Sequence, residues 1–83
     1  MMHTFFLDGS VYATPRDLHA ALKSMMALPD YYGMNADALH DCLGERAEQP
    51  VLCLRRGGNE AVESTLDKVC RVLEDLDGQV REL

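Results

Sequence analysis

Three short apolar runs along the chain predict β-strands. The first covers residues 3–7, contains two phenylalanines and ends at an Asp-Gly turn signal. Residues 51–54 are apolar at every position, which is typical of a strand covered on both faces, as in a parallel sheet. Residues 79–83 form a weaker final run. The pattern therefore predicts three strands that are well separated in sequence.

Two apolar patterns with helical spacing lie between the first two strands, and both have start and stop signals. The first helix begins after Thr14, a capping residue, has Pro15 at its first position and ends before Pro29. Asn35 is the expected cap of the second helix, which ends before Pro50. The stripes that these helices bury are Leu18, Ala21, Leu22 and Met25 in the first and Leu39, Cys42 and Leu43 in the second.

A third helix precedes the last strand and is the final element of an alternating order. It follows residues 55–59, a polar loop with the most flexible sequence of the chain, and Gly78 is placed to stop it. Strands separated by helices favour right-handed crossovers and a small parallel sheet with helices packed against it. We expect a single domain over residues 1–83. The buried stripe of the third helix consists of Val62, Leu66, Val69, Cys70, Leu73 and Leu76.

The charge balance is acidic, with 14 acidic and 8 basic side chains among 83 residues and a formal net charge of −6. Nucleic acid carries dense negative charge and is excluded as a partner, whereas a basic protein is favoured. No apolar stretch is long enough for a membrane span or for the core of a signal peptide. We therefore expect a cytoplasmic protein that is a monomer when free and makes no membrane contact.

The three cysteines, Cys42, Cys53 and Cys70, do not form a disulfide framework, because their number is odd and none are closely spaced. Each lies among apolar residues at a position that a helix or strand would turn inward. Buried free thiols are the expected state, and reduced thiols fit a cytoplasmic location.

Catalytic and metal chemistry find no support in the sequence. His40, Asp41 and Cys42 are adjacent, but neighbouring residues on a helix point about 100° apart and cannot converge on one ion. His19 is expected to be an exposed or half-buried residue of the first helix. No base, nucleophile and charge-stabilising donor can be assembled, so we expect no metal, no cofactor and no enzymatic activity.

Residues 30–48 account for most of the net negative charge, because five acidic side chains stand against one base there. Asp37, Asp41 and Glu45 recur at i, i+4 spacing and form one row on the second helix, opposite its apolar stripe. Like charges at this spacing repel by roughly 0.2–0.5 kcal/mol per pair, and the positive end of the helix offsets this only for Asp37. A solvated polar face is the ordinary explanation of such a row.

Two adjacent tyrosines before this helix favour a different explanation. Tyr31 and Tyr32 are hard to bury together, so at least one ring is expected at the surface. Tyrosine is enriched among interface anchors, and beside carboxylates it can stack on the imidazole or guanidinium of a partner. Gly33 is expected to take a backbone angle closed to other residues, which would fix where the second helix begins.

The segment formed by residues 17–43 resembles the barstar family over nearly its whole length. The match includes Asp17-Leu18-His19 and, over residues 28–43, the pattern Leu-Pro-x-Tyr-Tyr-Gly-x-Asn-x-Asp-Ala-Leu-x-Asp-Cys-Leu. The resemblance implies an α/β fold with a three-stranded parallel sheet and three to four packed helices. It also implies a protein that inhibits a basic, barnase-like ribonuclease by occluding its active site.

In that family the second helix and the preceding loop enter the ribonuclease active site. Matched residue by residue, five positions correspond to family contacts, and Asp41 falls where the principal carboxylate takes the place of the substrate phosphate. A carboxylate on a rigid helix can accept paired hydrogen bonds from the cationic groups that hold a phosphodiester. Together with neighbours on the same surface, the predicted partner-binding residues are Tyr31, Tyr32, Gly33, Asn35, Asp37, His40, Asp41 and Glu45.

The chain departs from the family pattern at several contact positions. His40 stands where tryptophan is common, and Arg46 lies near the place of a second tryptophan. An acidic contact late in the third helix has no clear match, since Leu73 takes that position and Glu74 is adjacent. These departures bear on the target and not on the fold. They leave an alternative function open, namely an adaptor that presents the same acidic surface to a basic protein other than a ribonuclease.

Overall fold

The order of strands and helices along the chain is the one that the apolar pattern predicts. The computed structural model describes residues 4–83, and the predicted start of the first strand at His3 lies outside them. Within these residues three strands form one parallel sheet, accompanied by three α-helices and a short 3₁₀ turn, which confirms the predicted α/β class. The elements are β1 (Thr4–Asp8), the 3₁₀ turn (Gly9–Val11), α1 (Pro15–Met25), α2 (Ala36–Gly44), β2 (Val51–Arg55), α3 (Glu60–Asp75) and β3 (Gln79–Glu82).

The sheet has the order β1-β2-β3, which places the fully apolar strand in the centre. Leu7 pairs in register with Leu54, and both are buried in the same cluster as the helical side chains. On the opposite face of the sheet Phe6 pairs with Cys53, and Phe6 is 65% exposed. Residues 51–54 are all buried, as a central strand of a parallel sheet requires.

Helix α3 is the central element of the helical layer, because it contacts α1, α2 and β3. Its stripe is fully buried at Val62, Leu66, Val69 and Leu73, as the helical spacing predicts. Burial of each such side chain stabilises the fold by about 1.5–3 kcal/mol. The α3 stripe is therefore a principal source of hydrophobic stabilisation, and it holds α2 in place against the rest of the molecule.

All three helices begin at a side-chain cap. Thr14, Asn35 and Asn59 each accept a hydrogen bond from the backbone N–H three residues further on, at 3.1, 2.8 and 2.9 Å. Such a cap satisfies one of the N–H groups that the first turn of a helix leaves without a partner. The predicted caps of the first two helices are confirmed, and the third lies in the loop that the sequence marks as polar.

Asp77, and not a glycine, ends α3 in the left-handed backbone region, with φ of 63°. The Gly78 N–H donates to the Leu73 carbonyl at 2.7 Å, and the Asp77 N–H donates to the Glu74 carbonyl at 3.2 Å, which is the Schellman arrangement. Gly78 is favoured by space, since a Cβ there would lie 3.2 Å from the carbonyl oxygens of Leu73 and Pro50, a tight contact. The predicted stop at Gly78 thus holds, with a different backbone cause.

The loop 55–59, which its sequence marks as flexible, is fastened to other elements by several side-chain contacts. Arg56 forms ion pairs with acidic side chains of α3 and β3. Asn59 Nδ2 donates to the carbonyl of Ala13 at 2.8 Å. A Cβ added at Gly58 would lie only 2.5 Å from the carbonyl oxygen of Gly9. Glycine and arginine are therefore present in this loop for close packing and ion pairing.

The cysteines are all free thiols. Cys53 and Cys70 are buried, as predicted, and burial raises the pKa of Cys70 to about 11. Cys42 is only partly buried, so the expectation of full burial is wrong there, because the edge of α2 that carries it is not completely covered. Within residues 4–83 no helix combines the length and the apolar character needed to cross a membrane.

Candidate functional site

Two carboxylates of α2 lie one turn apart on its exposed side. Asp37 and Asp41 are exposed, while Leu39 and Leu43 on the opposite side are fully buried. The helix ends one residue before Glu45, which forms the C-cap with near-helical angles, φ −82° and ψ −9°. Glu45 is exposed as well and continues the line just past the last turn. We call Asp37, Asp41 and Glu45 the acidic row.

The acidic row is not neutralised by any residue of the described range. Among residues 4–83, none of its three carboxylates forms an ion pair or a side-chain hydrogen bond. The neighbouring Asp30 does pair with Lys23, at 3.9 Å. These carboxylates are solvated by water, so cationic groups of another molecule can reach them.

Tyr31 and Tyr32 differ sharply in burial. Tyr31 is 79% exposed, which confirms the prediction that at least one ring reaches the surface. Tyr32 is 5% exposed and its ring belongs to the hydrophobic core. The side chain of Tyr32 is therefore not accessible to a partner, contrary to its prediction as a contact residue. It supports the contact surface from within the core.

A buried hydrogen bond joins α1 to the start of α2. His19 is 4% exposed, contrary to the exposed or half-buried position expected from its sequence, and its Nδ1 lies 2.7 Å from the Tyr32 hydroxyl. The same hydroxyl donates to the carbonyl of Asn35 at 3.4 Å. Burial lowers the pKa of His19 and raises the pKa of Tyr32, so both groups stay uncharged at neutral pH. A buried histidine is tolerated here because the tyrosine hydroxyl satisfies it.

Met34, and not Gly33, takes the left-handed backbone angle before α2, with φ of 57°. The expectation of a special backbone angle at Gly33 is therefore wrong. Glycine is favoured at this position by space, because a Cβ would lie 3.2 Å from the Cβ of Ala38. Asn35 completes the turn, since its Nδ2 donates to the Gly33 carbonyl at 3.1 Å while its Oδ1 caps the helix. The exposed backbone of Gly33 and the exposed Asn35 thus hold a defined position beside Tyr31.

Arg46 fastens the other end of α2. Its guanidinium donates to the carbonyl of Met26, the C-cap of α1, at 2.6 Å. Gln49 Nε2 donates to the Leu43 carbonyl at 2.7 Å. A cation at a helix C-terminus interacts favourably with the carbonyls that have no intrahelical partner. Arg46 is half-buried and engaged in this contact, so it does not neutralise the acidic row.

A cleft of about 400 Å³ lies along the seam where α2 packs against α3. Its α2 side carries Asp37 and His40, and both are exposed. Its α3 side carries Lys68, Arg71 and Asp75, which are exposed as well. Asp37, the first residue of the acidic row, therefore borders a depression that is lined by charged groups of both signs.

The three α3 residues of this cleft are absent from the sequence prediction. Lys68, Arg71 and Asp75 recur at spacings of three and four, and this periodicity on the polar side of the third helix was the available signal. Leu73, the position suggested for a late acidic contact, is fully buried. Glu74 lies in a separate depression with Arg56, so Asp75 is the late acid of α3 that lies on the α2 side.

Histidine, cysteine and carboxylate side chains do not gather into a metal site in the described part of the chain. Among residues 4–83, no group of three or more such side chains is arranged to hold an ion.

Comparisons with known proteins place these features in a family. The sequence profile of the family described as Barstar (barnase inhibitor) matches residues 2–83. The chain is also similar to the protein named "Putative ribonuclease inhibitor YrdF" of Bacillus subtilis (strain 168), with 30% identity over 84 residues, 98% of this chain and 92% of that protein. With its parallel three-stranded sheet and a profile match over nearly the whole sequence, the chain belongs to the barstar family.

Proposed function

We propose that this protein inhibits a basic ribonuclease by inserting α2 and the loop before it into the enzyme's active site. Barstar proteins are inhibitors and not enzymes, and the similar Bacillus subtilis protein is named as a ribonuclease inhibitor. The observation that carries the proposal is the acidic row, which is exposed and has no ion pair among residues 4–83.

The chemistry of the target explains why carboxylates serve this purpose. A ribonuclease holds a phosphodiester with cationic side chains, and those groups bind a carboxylate through charge-assisted hydrogen bonds. Asp41 lies in the middle of the acidic row and matches the family position of the principal carboxylate, so we assign it to the phosphate position. Asp37 and Glu45 then contact cationic groups at the sides of the cavity.

Tyr31 and His40 supply the aromatic part of the contact. The Tyr31 ring is 79% exposed and is free to stack on an imidazole or guanidinium of the enzyme. His40 is exposed between Asp37 and Asp41 and replaces the larger indole of the family pattern. A smaller anchor at this position favours an active site with a narrower or more polar rim than a tryptophan would need.

Charge also assists the encounter of the two proteins. The chain has a net charge of −6, and its exposed acidic row faces a cationic site in the proposed complex. Such complementarity raises the association rate, and the rate falls as salt screens the charges.

The test is a titration of basic barnase-type ribonucleases with the purified chain, read as loss of RNA hydrolysis. Inhibition that is complete near one equivalent supports the proposal. Asp41→Ala is expected to raise the inhibition constant by about thirtyfold or more, the general scale of an interface hot spot of roughly 2 kcal/mol. Glu60→Ala is the matched control, because it removes the same charge from an exposed position in the first turn of α3, outside the lining of the cleft.

The control should inhibit as the unmodified chain does. Equal inhibition by Asp41→Ala and the unmodified chain would contradict the assigned mechanism. The adaptor function is favoured by one feature, the exchange of the family's aromatic anchor for His40. A stable complex with a basic protein that lacks nuclease activity, lost on Asp41→Ala, would support the adaptor in place of the inhibitor.

A further inference from the structure

Two bases interrupt the acidic character of the predicted binding surface. Lys68 and Arg71 lie about one turn apart on the exposed side of α3 and line the cleft beside Asp37 and His40. Neither base forms an ion pair with a residue of the described range 4–83. The binding surface therefore consists of the acidic row on α2 and an adjoining pair of unpaired cations on α3.

This arrangement is unfavourable for a partner that is cationic throughout. An arginine or lysine that entered the cleft would meet Lys68 and Arg71, and like charges brought together at an interface are destabilising. A free anion such as phosphate is also a poor occupant, because Asp37 and Asp75 line the same cleft. The cleft matches a negative group whose neighbours are positive and can face these two carboxylates.

We propose that the partner carries a carboxylate side chain that enters the α2–α3 cleft and binds Lys68 and Arg71. This inference rests on the proposed function, since the carboxylate belongs to the ribonuclease and lies beside the cationic cavity that takes Asp41. The guanidinium of Arg71 can donate two parallel hydrogen bonds to a carboxylate, and the ammonium of Lys68 adds a further donor. Lys68 and Arg71 are thus specificity-determining residues, because they select ribonucleases that have an acid at the rim of the active site.

Charge reversal gives this inference a test whose sign is diagnostic. The double variant Lys68→Glu with Arg71→Glu makes the chain more acidic next to the acidic row. If the two bases do not contact the partner, the added negative charge strengthens association with a basic ribonuclease and raises the association rate. If they bind a carboxylate, the same change weakens the complex despite the more negative protein, since it places like charges together.

The experiment measures inhibition constants and association rates for a barnase-type ribonuclease that the unmodified chain inhibits. We expect the double reversal to raise the inhibition constant by about tenfold or more. The matched control is Arg55→Glu with Arg81→Glu, which changes the net charge equally through exposed residues of β2 and β3. It should leave inhibition unchanged or slightly stronger. The neutral variants Lys68→Gln and Arg71→Gln test the same point with a smaller change to the surface.

The outcomes separate this inference from the function on which it rests. Unchanged or stronger inhibition by the double reversal, with inhibition still lost on Asp41→Ala, overturns the carboxylate contact and leaves the inhibitor function standing. Absence of inhibition by the unmodified chain overturns both. Recovery of binding when an acid at the enzyme's rim is replaced by lysine, measured with the double reversal, would support a direct contact.

Discussion

His19 Nδ1 lies 2.7 Å from the Tyr32 hydroxyl inside the core, and this contact holds the loop that precedes α2. Both side chains are buried, so water cannot replace either partner without opening the structure. The neighbouring Tyr31 is 79% exposed. Tyr32 therefore supports the loop from the core, while Tyr31 is exposed to solvent.

Removal of the Tyr32 hydroxyl should destabilise the protein. Tyr32→Phe leaves His19 Nδ1 without a partner in the core, so the free energy of unfolding is expected to fall by about 1–3 kcal/mol. Urea denaturation followed by circular dichroism measures this change. Tyr31→Phe is the control, and as a surface substitution it should stay within about 0.5 kcal/mol of the unmodified chain. Equal losses in the two variants would show that the buried hydroxyl has no special role.

The stability of the protein should decrease as the solution becomes mildly acidic. Burial lowers the pKa of His19 in the folded state below the ordinary value of about 6.5. Between the folded pKa and about 6.5 the unfolded chain binds more protons than the folded one, so stability is lost as pH falls through this interval. Below the folded pKa both states hold the proton, and this contribution has no further slope.

Urea midpoints measured from about pH 8 to about pH 5 test this dependence. The variant His19→Gln cannot take up the proton and should show a flatter profile near pH 6 than the unmodified chain. An identical slope in the two proteins would assign the pH dependence to other groups.

Arg56 should contribute to stability through its carboxylate partners. It pairs with Asp67 at 2.8 Å, with Glu63 at 3.8 Å and with Glu82. Since the guanidinium is partly exposed, Arg56→Met is expected to cost only about 1 kcal/mol, and less at high salt. Arg55→Met is the control, because Arg55 is exposed and forms no ion pair within residues 4–83. A loss in Arg56→Met that is independent of salt would indicate packing by its stem instead.

Two glycine-to-alanine substitutions should differ in their effect on stability. A Cβ at Gly58 would lie 2.5 Å from the Gly9 carbonyl oxygen, so Gly58→Ala forces the backbone apart and should destabilise by about 1–3 kcal/mol. Gly44 lies at the end of α2 with its nearest neighbour, Leu76, at 3.9 Å. Gly44→Ala should therefore be neutral or stabilise by up to about 1 kcal/mol. Thermal unfolding measures this difference, as the midpoint temperature of each variant compared with that of the unmodified chain.

The elements of the fold could be predicted because their signals are local. Thr14 and Asn35 mark helix starts by side-chain chemistry that acts within one turn, and an unbroken apolar run marks the central strand. Buried contacts between distant residues leave no such trace. The sequence shows that His19 is a histidine on a helix, but only the folded chain brings Tyr32 to it across 13 positions.

The candidate site likewise has one part with a local sequence signal and another part that forms only by tertiary packing. The acidic row follows from i, i+4 spacing on one helix, so Asp37 and Asp41 could be proposed without coordinates. The α2–α3 cleft could not, because Lys68 and Arg71 reach it only when two helices pack together. The predicted backbone angle at Gly33 is wrong for a related reason. A preference for glycine can come from a neighbouring side chain, here the Cβ of Ala38, as well as from the backbone angle of the glycine.

Both ends of α2 are tied to α1, through Tyr32 and His19 at the start and through Arg46 and the Met26 carbonyl at the end. The helix is consequently folded before any encounter, and binding should not be coupled to an ordering transition. The heat-capacity change of association should then correspond to the burial of the contact area alone, with no added contribution from folding. Calorimetry at several temperatures would reveal the larger negative value typical of folding upon binding if α2 became ordered only in the complex.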